Sequence, residues 1–180
     1  MGDWWKRPEI APSCATGLVF CLLAASVAFA APNDIEQRAP RVDRIVVEKS
    51  KRTLKLMAGG KVVKSYKVAL GEQPVGPKDR AGDHKTPEGA YTVDAKYPNS
   101  EFHKALHVSY PNQMDRERAK KLGVKAGGDI EIHGLGDKWG WVGAWHREVD
   151  WTDGCIVVTN EEIDEVYPLV QVGTPVEIKP

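Results

Sequence analysis

The sequence has no excess of either charge: Lys and Arg total 25, and Asp and Glu total 25. No net field therefore draws the chain toward nucleic acid or an anionic membrane. It also lacks internal repeats and low-complexity segments, which excludes solenoid and compositionally biased architectures. Cysteine is scarce, at three residues in 180. What is present is ordinary for a soluble globular protein, with 42% hydrophobic and 28% charged residues. The length suits one domain, which at this size buries roughly two-thirds of its unfolded surface and needs no staples.

The N-terminal segment stands apart. Lys6 and Arg7 precede an uncharged apolar run from Ala15 to Ala30. That run is shorter than the roughly 20 residues that span a bilayer comfortably. It closes on Ala28-Phe29-Ala30 before Ala31-Pro32, a small-x-small ending suited to signal-peptidase cleavage after Ala30. Residues 1–30 are thus expected to be a cleavable signal peptide that exports the protein to the periplasm, with a retained anchor as the rival reading. Phe20 is too bulky for the position before a lipidated Cys21, so no lipid anchor is expected.

Cleavage changes the cysteine arithmetic. Cys14 and Cys21 leave with the leader, and Cys155 alone remains. Exported cysteines are normally paired, so a single one is a reactive thiol, an intermolecular link or an inert buried hydrophobe. Its own neighbourhood has to choose among these.

Residues 31–42 hold two prolines and no periodicity and read as a linker. The domain then occupies 43–180. Apolar residues alternate with charged ones from Arg44 to Leu70, broken at Gly59-Gly60, a pair suited to a tight hairpin. Residues 71–89, with four glycines and three prolines, read as a loop. A strand is predicted around Ala90 to Asp94, and Ala105 to Val108 reads as a strand start. A short helix is predicted over Met114 to Leu122, capped by Asn112 and ended by Gly123. The alternation from Asp129 predicts a strand that delivers His133 at its end. Thr159 and Glu162 have capping-box spacing, and their helix is expected to stop near Pro168. A last strand is predicted from Gly173 to Ile178. The fold class is mainly β with two or three short helices.

Cys155 lies in Trp151-Thr152-Asp153-Gly154-Cys155-Ile156-Val157-Val158. Gly154 permits a tight bend, and the apolar residues behind it form an anchoring segment. A sulfur at such a bend can be presented outward while backbone N–H groups face a developing oxyanion. A thiol also needs a base or a cation beside it to react near neutral pH. Of the five histidines, His133 is the best placed base. On these grounds an acyl-transfer Cys-His pair is one option among several.

The same residues resemble a family. His133-Gly134 followed by Thr152-Asp153-Gly154-Cys155 is similar to the signature of the L,D-transpeptidase catalytic domain (YkuD type). The loop Gly82-Asp83-His84-Lys85-Thr86-Pro87-Glu88-Gly89-Ala90-Tyr91 resembles an upstream segment of that family. The resemblance implies a β-sandwich or barrel-like catalytic fold, export, and action on diaminopimelate-containing peptidoglycan stem peptides. It implies a Cys155 thioester, His133 as base, and neither metal nor organic cofactor. Gly154, Thr152, Asp153 and Gly134 would support the site or its oxyanion. Substrate-contact candidates are His84, Trp141 and His146. Two features depart from the family pattern: a spacer rich in tryptophan (139, 141, 145 and 151), and Val157 where cross-linking members carry arginine. The run from Gly154 to Glu165 instead looks like the YafK branch, which implies a second partner, an outer-membrane lipoprotein attached to peptidoglycan and released by hydrolysis.

Bland readings stand beside these. His103 and His107 are four apart, but their surroundings read as a strand start with no carboxylate at ligand spacing, so no metal site is expected there. A zinc hydrolase built on His133, His146 and Cys155, and a non-catalytic peptidoglycan-binding module, remain the competing classes. The tryptophans fit a flap over the site or a packed core. Thr152 is a turn former or a group that orients His133.

Overall fold

The computed structural model describes residues 41–180. The expected signal peptide and nearly all of the expected linker lie outside them. Eight strands form one curled sheet in the order β3-β2-β1-β8-β4-β5-β6-β7. The chain order is β1 (Arg44–Glu48), β2 (Thr53–Ala58), β3 (Lys61–Lys67), β4 (Gly89–Ser100), β5 (His103–Val108), α1 (Gln113–Leu122), β6 (Glu131–His133), β7 (Ile156–Val157), α2 (Asn160–Leu169) and β8 (Pro175–Lys179). This is the mainly β class that the alternating patterns predict.

The first half is a meander. Gly59 and Gly60, at φ 55° and 77°, turn β2 into β3, the left-handed pair a two-residue hairpin requires. Leu54 and Leu56 point into the core, joined from β3 by Tyr66, while the rest of β3 is largely solvated. The last strand then closes the middle of the sheet: β8 runs parallel to β1 (Ile45 opposite Val176) and antiparallel to β4 (Tyr91 opposite Val176).

β4 is longer than the sequence predicts, continuing past Asp94 to Ser100. Register shifts at Val93/Ala95 and Tyr97/Ser100 interrupt the alternation that would have marked its second half, and they bend the strand. One end of β4 pairs with β8 and the other with β5, so this single strand carries the curl between the two halves of the sheet.

The second half carries the site. β5 pairs antiparallel with β6 (Leu106 opposite Ile132), and β6 pairs parallel with β7 (Ile132 opposite Ile156). Ile132, Ile156, Val158, Ile163 and Val166 are buried together in the core, the last two contributed by α2. Thr159 caps α2 through a reciprocal bond pair with Glu162, as its spacing predicts. The helix runs through Pro168 to Leu169 rather than stopping before it. A proline in the last turn forfeits one hydrogen bond, and the Val170 N–H still reaches the Val166 carbonyl at 3.2 Å. α1 has its predicted Asn112 cap, completed to a capping box by Asp115, and a left-handed Gly123.

Candidate active site

The parallel register decides which side chains can meet. His133 lies opposite Val157 and Ile132 opposite Ile156. Side chains alternate across a strand, so Ile132 and Ile156 enter the core. Glu131 and His133 therefore share the other face with Val157 and, one step before the strand, Cys155. The two sequence candidates thus stand on one face of adjoining strands, His133 at the end of β6 and Cys155 just before the start of β7, level with Glu131.

His133 is nearly inaccessible, at 2% exposure, and its ring stacks on Phe102 at 4.2 Å between centroids. Nδ1 lies 2.6 Å from the Gly134 carbonyl. A carbonyl only accepts, so Nδ1 carries the proton and Nε2 is the free base. Burial pushes the imidazole down to about 4, against the opposing pull of the Gly134 carbonyl. The ring is neutral at ordinary pH.

Cys155 leaves a turn built by Thr152. The Thr152 hydroxyl accepts from the Gly154 N–H at 3.1 Å and donates to the Cys155 carbonyl at 2.9 Å. That hydroxyl is used up within the turn, so it orients neither His133 nor a substrate carbonyl. The same bond occupies the Gly154 N–H. Of the successive N–H groups expected to face an oxyanion, the one at Cys155 has no acceptor among the described residues and is the available donor. Gly154 sits at φ 132°, and a Cβ there would lie 2.6 Å from the Lys85 carbonyl oxygen. Glycine is required at this point because the upstream loop presses directly on the turn.

The thiol donates to the Asp129 carbonyl at 3.5 Å. Burial pushes it up to about 11, opposed by the Glu131 backbone N–H that faces the sulfur. At rest the shared face therefore holds a thiol and a neutral imidazole rather than a thiolate and an imidazolium.

The upstream loop explains why its residue types recur as a motif. Asp83 accepts from the backbone N–H groups of Asp79, Arg80 and Lys85 and pairs with Lys78 at 2.7 Å. Thr86 accepts from the Gly71 N–H at 2.9 Å. Buried Lys49 reaches the Gly76 and Thr86 carbonyls and the Glu88 carboxylate, at 2.6, 2.8 and 2.9 Å. His84, held at φ 54°, places Nδ1 2.6 Å from the Asp153 carboxylate. The structure thus ties His84 to the cysteine turn through Asp153, whose side chain is largely in solvent.

The tryptophan-rich stretch folds as a 3-10 segment, Gly140–Glu148, kinked at Gly143. None of its indoles is core. Trp139, Trp145 and Trp151, with Leu135 and Val142, line an apolar groove of about 490 Å³ whose buried polar member is His146. Trp141 is not among its lining residues; it is largely exposed and donates to the Lys138 carbonyl at 3.1 Å.

Several residues of the site escape a motif-based reading. Phe102 stacks on the base, and Asn160 accepts from the Leu135 N–H at 2.8 Å, fixing the chain just beyond His133-Gly134. Glu131 flanks the thiol, with its own carboxyl raised by burial. Alternation along β6 could have revealed Glu131. Nothing local points to Phe102 or Asn160, which arrive from other elements. His103 and His107 face Asp164 and Asp94 respectively. Among the described residues, no group of three His, Cys, Asp or Glu side chains is arranged to hold a metal ion.

Residues 42–178 match the sequence model of the L,D-transpeptidase catalytic domain, YkuD. The chain belongs to this family. YafK of Escherichia coli (strain K12) is a relative, 32% identical over 133 residues that make up 70% of this chain and 46% of YafK. The chain therefore spans about half the length of that relative. Among solved structures, the helical cell shape determining protein Pgp2 of Campylobacter jejuni superposes with TM-score 0.59 and 26% identity, over 77% of this chain and 48% of Pgp2. Bd1075 of Bdellovibrio bacteriovorus gives 0.52 and 28%, over 77% and 47%. An L,D-transpeptidase of Mycobacterium smegmatis, at 17% identity and TM-score 0.50 over 78% of this chain and 59% of its own, shares the fold. In this member of the L,D-transpeptidase family Val157 is fully buried with Ala69 and Leu135 and offers no cation.

The neutral resting pair has a measurable consequence for this L,D-transpeptidase-family domain. A thiol raised from 9.0 to about 11 holds about a hundredfold less thiolate at pH 7 than an unperturbed one. Iodoacetamide should alkylate Cys155 correspondingly slowly, at a rate still climbing about tenfold per pH unit at pH 9.5. A plateau below pH 8 would instead mean a thiolate–imidazolium pair.

Proposed function

We propose that the protein is an exported cysteine acyl-transfer enzyme that acts on diaminopimelate-containing stem peptides of peptidoglycan. The observation that carries this reading is the shared face of β6 and β7: a half-buried thiol, a buried imidazole with Nε2 free, and an unoccupied Cys155 N–H. Cys155 Sγ attacks the amide carbonyl carbon while its proton passes to His133 Nε2. The developing oxyanion is met by the Cys155 N–H and supplies a counter-charge for the imidazolium. Proton transfer therefore accompanies carbon–sulfur bond formation rather than preceding it, in keeping with a pair that is neutral at rest. The tetrahedral adduct collapses, the amine leaves with the proton from His133, and a thioester remains. An amine or water then attacks the thioester, losing its proton to His133. The thiol departs and recovers that proton.

A second reading concerns the acceptor. Buried Val157 leaves the face without a guanidinium fork for a stem-peptide carboxylate. That favours water as acceptor, and with it hydrolytic release of a lipoprotein attached to the wall. The test incubates the protein with sacculi that carry covalent lipoprotein and reads the products by mass spectrometry. New diaminopimelate-to-diaminopimelate links or exchanged terminal residues mean transpeptidation. Free lipoprotein without new links means hydrolysis. No thiol-dependent product from any sacculus overturns the acyl-transfer reading and leaves a binding module.

A further inference from the structure

We propose that the tryptophan groove, whose lining starts two residues beyond His133, is a glycan subsite, taking the N-acetylated pyranose chain from which a stem peptide hangs. The inference rests on the peptidoglycan reading above and extends it from the peptide to the sugar.

Two observations carry it. The first is the aromatic surface: Trp139, Trp145 and Trp151 line the groove and are 61, 78 and 44% exposed. Tryptophans left this open on a folded domain mark a place where something binds. The second is His146. It is 5% exposed, yet neither Nδ1 nor Nε2 has a hydrogen-bond partner. A buried polar group without a partner requires an explanation. Here the side chain forms part of the groove wall and its nitrogens are themselves closed to solvent, so an occupant can supply the partner once the wall opens around it.

The chemistry of the occupant follows from what the wall offers. No Lys, Arg, Asp or Glu lines the groove, so it selects no charged group. Burial, followed by the adjacent Arg147, holds His146 down to about 4, so the ring is neutral and presents one donor and one acceptor. A hydroxyl or acetamide that both donates and accepts satisfies such a ring, whereas an acyl chain leaves both nitrogens unpaired. The C–H face of a pyranose carries slight positive charge and lies flat on the electron-rich face of an indole. An extended peptide needs a strand edge for its amides, and this wall is made of side chains from the 3-10 segment and the loops on either side of it.

Position agrees with chemistry. The groove includes Leu135, two residues beyond His133, and Trp151, four before Cys155. Three stem residues span at most about 10 Å, so a sugar and the scissile bond of its own stem would occupy neighbouring parts of one cleft.

The test follows the indole N–H signals of the full chain by NMR during titration with a peptide-free N-acetylglucosamine tetramer. Saturable shifts confined to Trp139, Trp145 and Trp151 are expected, with affinity at least about tenfold weaker in Trp145→Ala and in His146→Leu. Trp145 is so exposed that its replacement leaves folding intact. Cys155→Ala should bind the tetramer like the parent. No shift up to about 10 mM, equal binding by the variants, or the same shifts produced by a sugar-free diaminopimelate tetrapeptide would each overturn the proposal. Tetramer binding without thiol-dependent products from sacculi would overturn the acyl-transfer reading and leave the glycan subsite standing.

Discussion

Turnover of peptidoglycan substrates is expected to fall by at least about 10⁴-fold in Cys155→Ala, with the melting temperature within about 3 °C of the parent. The first half follows from the covalent route: without sulfur there is no thioester, and the Cys155 N–H alone cannot replace a nucleophile. The second half follows from how little the side chain contributes to the fold. Its polar contacts are the 3.5 Å bond to the Asp129 carbonyl and the Glu131 N–H that faces the sulfur, both weak because sulfur is a poor donor and acceptor. Burial also opposes its ionisation rather than exploiting it. Kinetics on sacculi and a thermal melt read both halves. An unfolded variant, or one that keeps more than a hundredth of the parent rate, would contradict the assignment of Cys155 as nucleophile.

The second large effect lies far from the thiol in sequence. Lys49→Met is expected to lose about 3 kcal/mol of stability. The ammonium is buried at 2% exposure and is bound by two carbonyls and the Glu88 carboxylate. Methionine fills the space of the stem but strands those three acceptors in a largely buried site. The estimate sits at the low end for a broken buried pair because Glu88 keeps some solvent contact. Adding Glu88→Leu should recover a good part of the loss, since the uncompensated carboxylate is then gone. Denaturant melts of the single and double variants measure this, and a single-variant loss under 1 kcal/mol would refute it. Turnover should fall as well, because Lys49 ties down the loop whose Lys85 carbonyl packs on Gly154.

How far the sequence could be read depended on whether a signal was local. The hairpin at Gly59-Gly60, the caps at Asn112 and Thr159, and the strand that ends at His133 each depend on residues within a few positions, and each is found where expected. β4 was legible only to its first register shift, because a bulge breaks the period by which a strand is recognised. Pro168 marked a helix end two residues early, since the penalty for proline falls mainly in a helix interior. At the site, Cys155, His133 and Gly154 could be named from their motif, but their roles depend on partners that no spacing reveals. Thr152 turned out to spend its hydroxyl on its own turn. Trp141, chosen for its place in a tryptophan-rich run, does not line the groove, whereas His146 does. Lys49 reads as one more lysine on an alternating solvent face, and only the loop folded over it makes it a core residue.

The place of β8 sets an order of events. β1 and β4 lie on either side of it, and no hydrogen-bonded ladder joins them without it. A chain emerging N-terminus first can form the β1–β2–β3 meander and the β4–β5 hairpin as separate pieces. The chain just after β3 can meet β7 earlier, through the reciprocal Ala69–Val157 bonds, but β1 and β4 stay unjoined until residues 175–179 arrive to pair with both. Because that closure joins segments more than 75 residues apart in sequence, it is the slow, high-contact-order step of folding. The thiol is delivered by the half that depends on this closure. An emerging chain therefore carries Cys155 before the sheet it belongs to is closed, and that closure comes only after synthesis has passed Lys179.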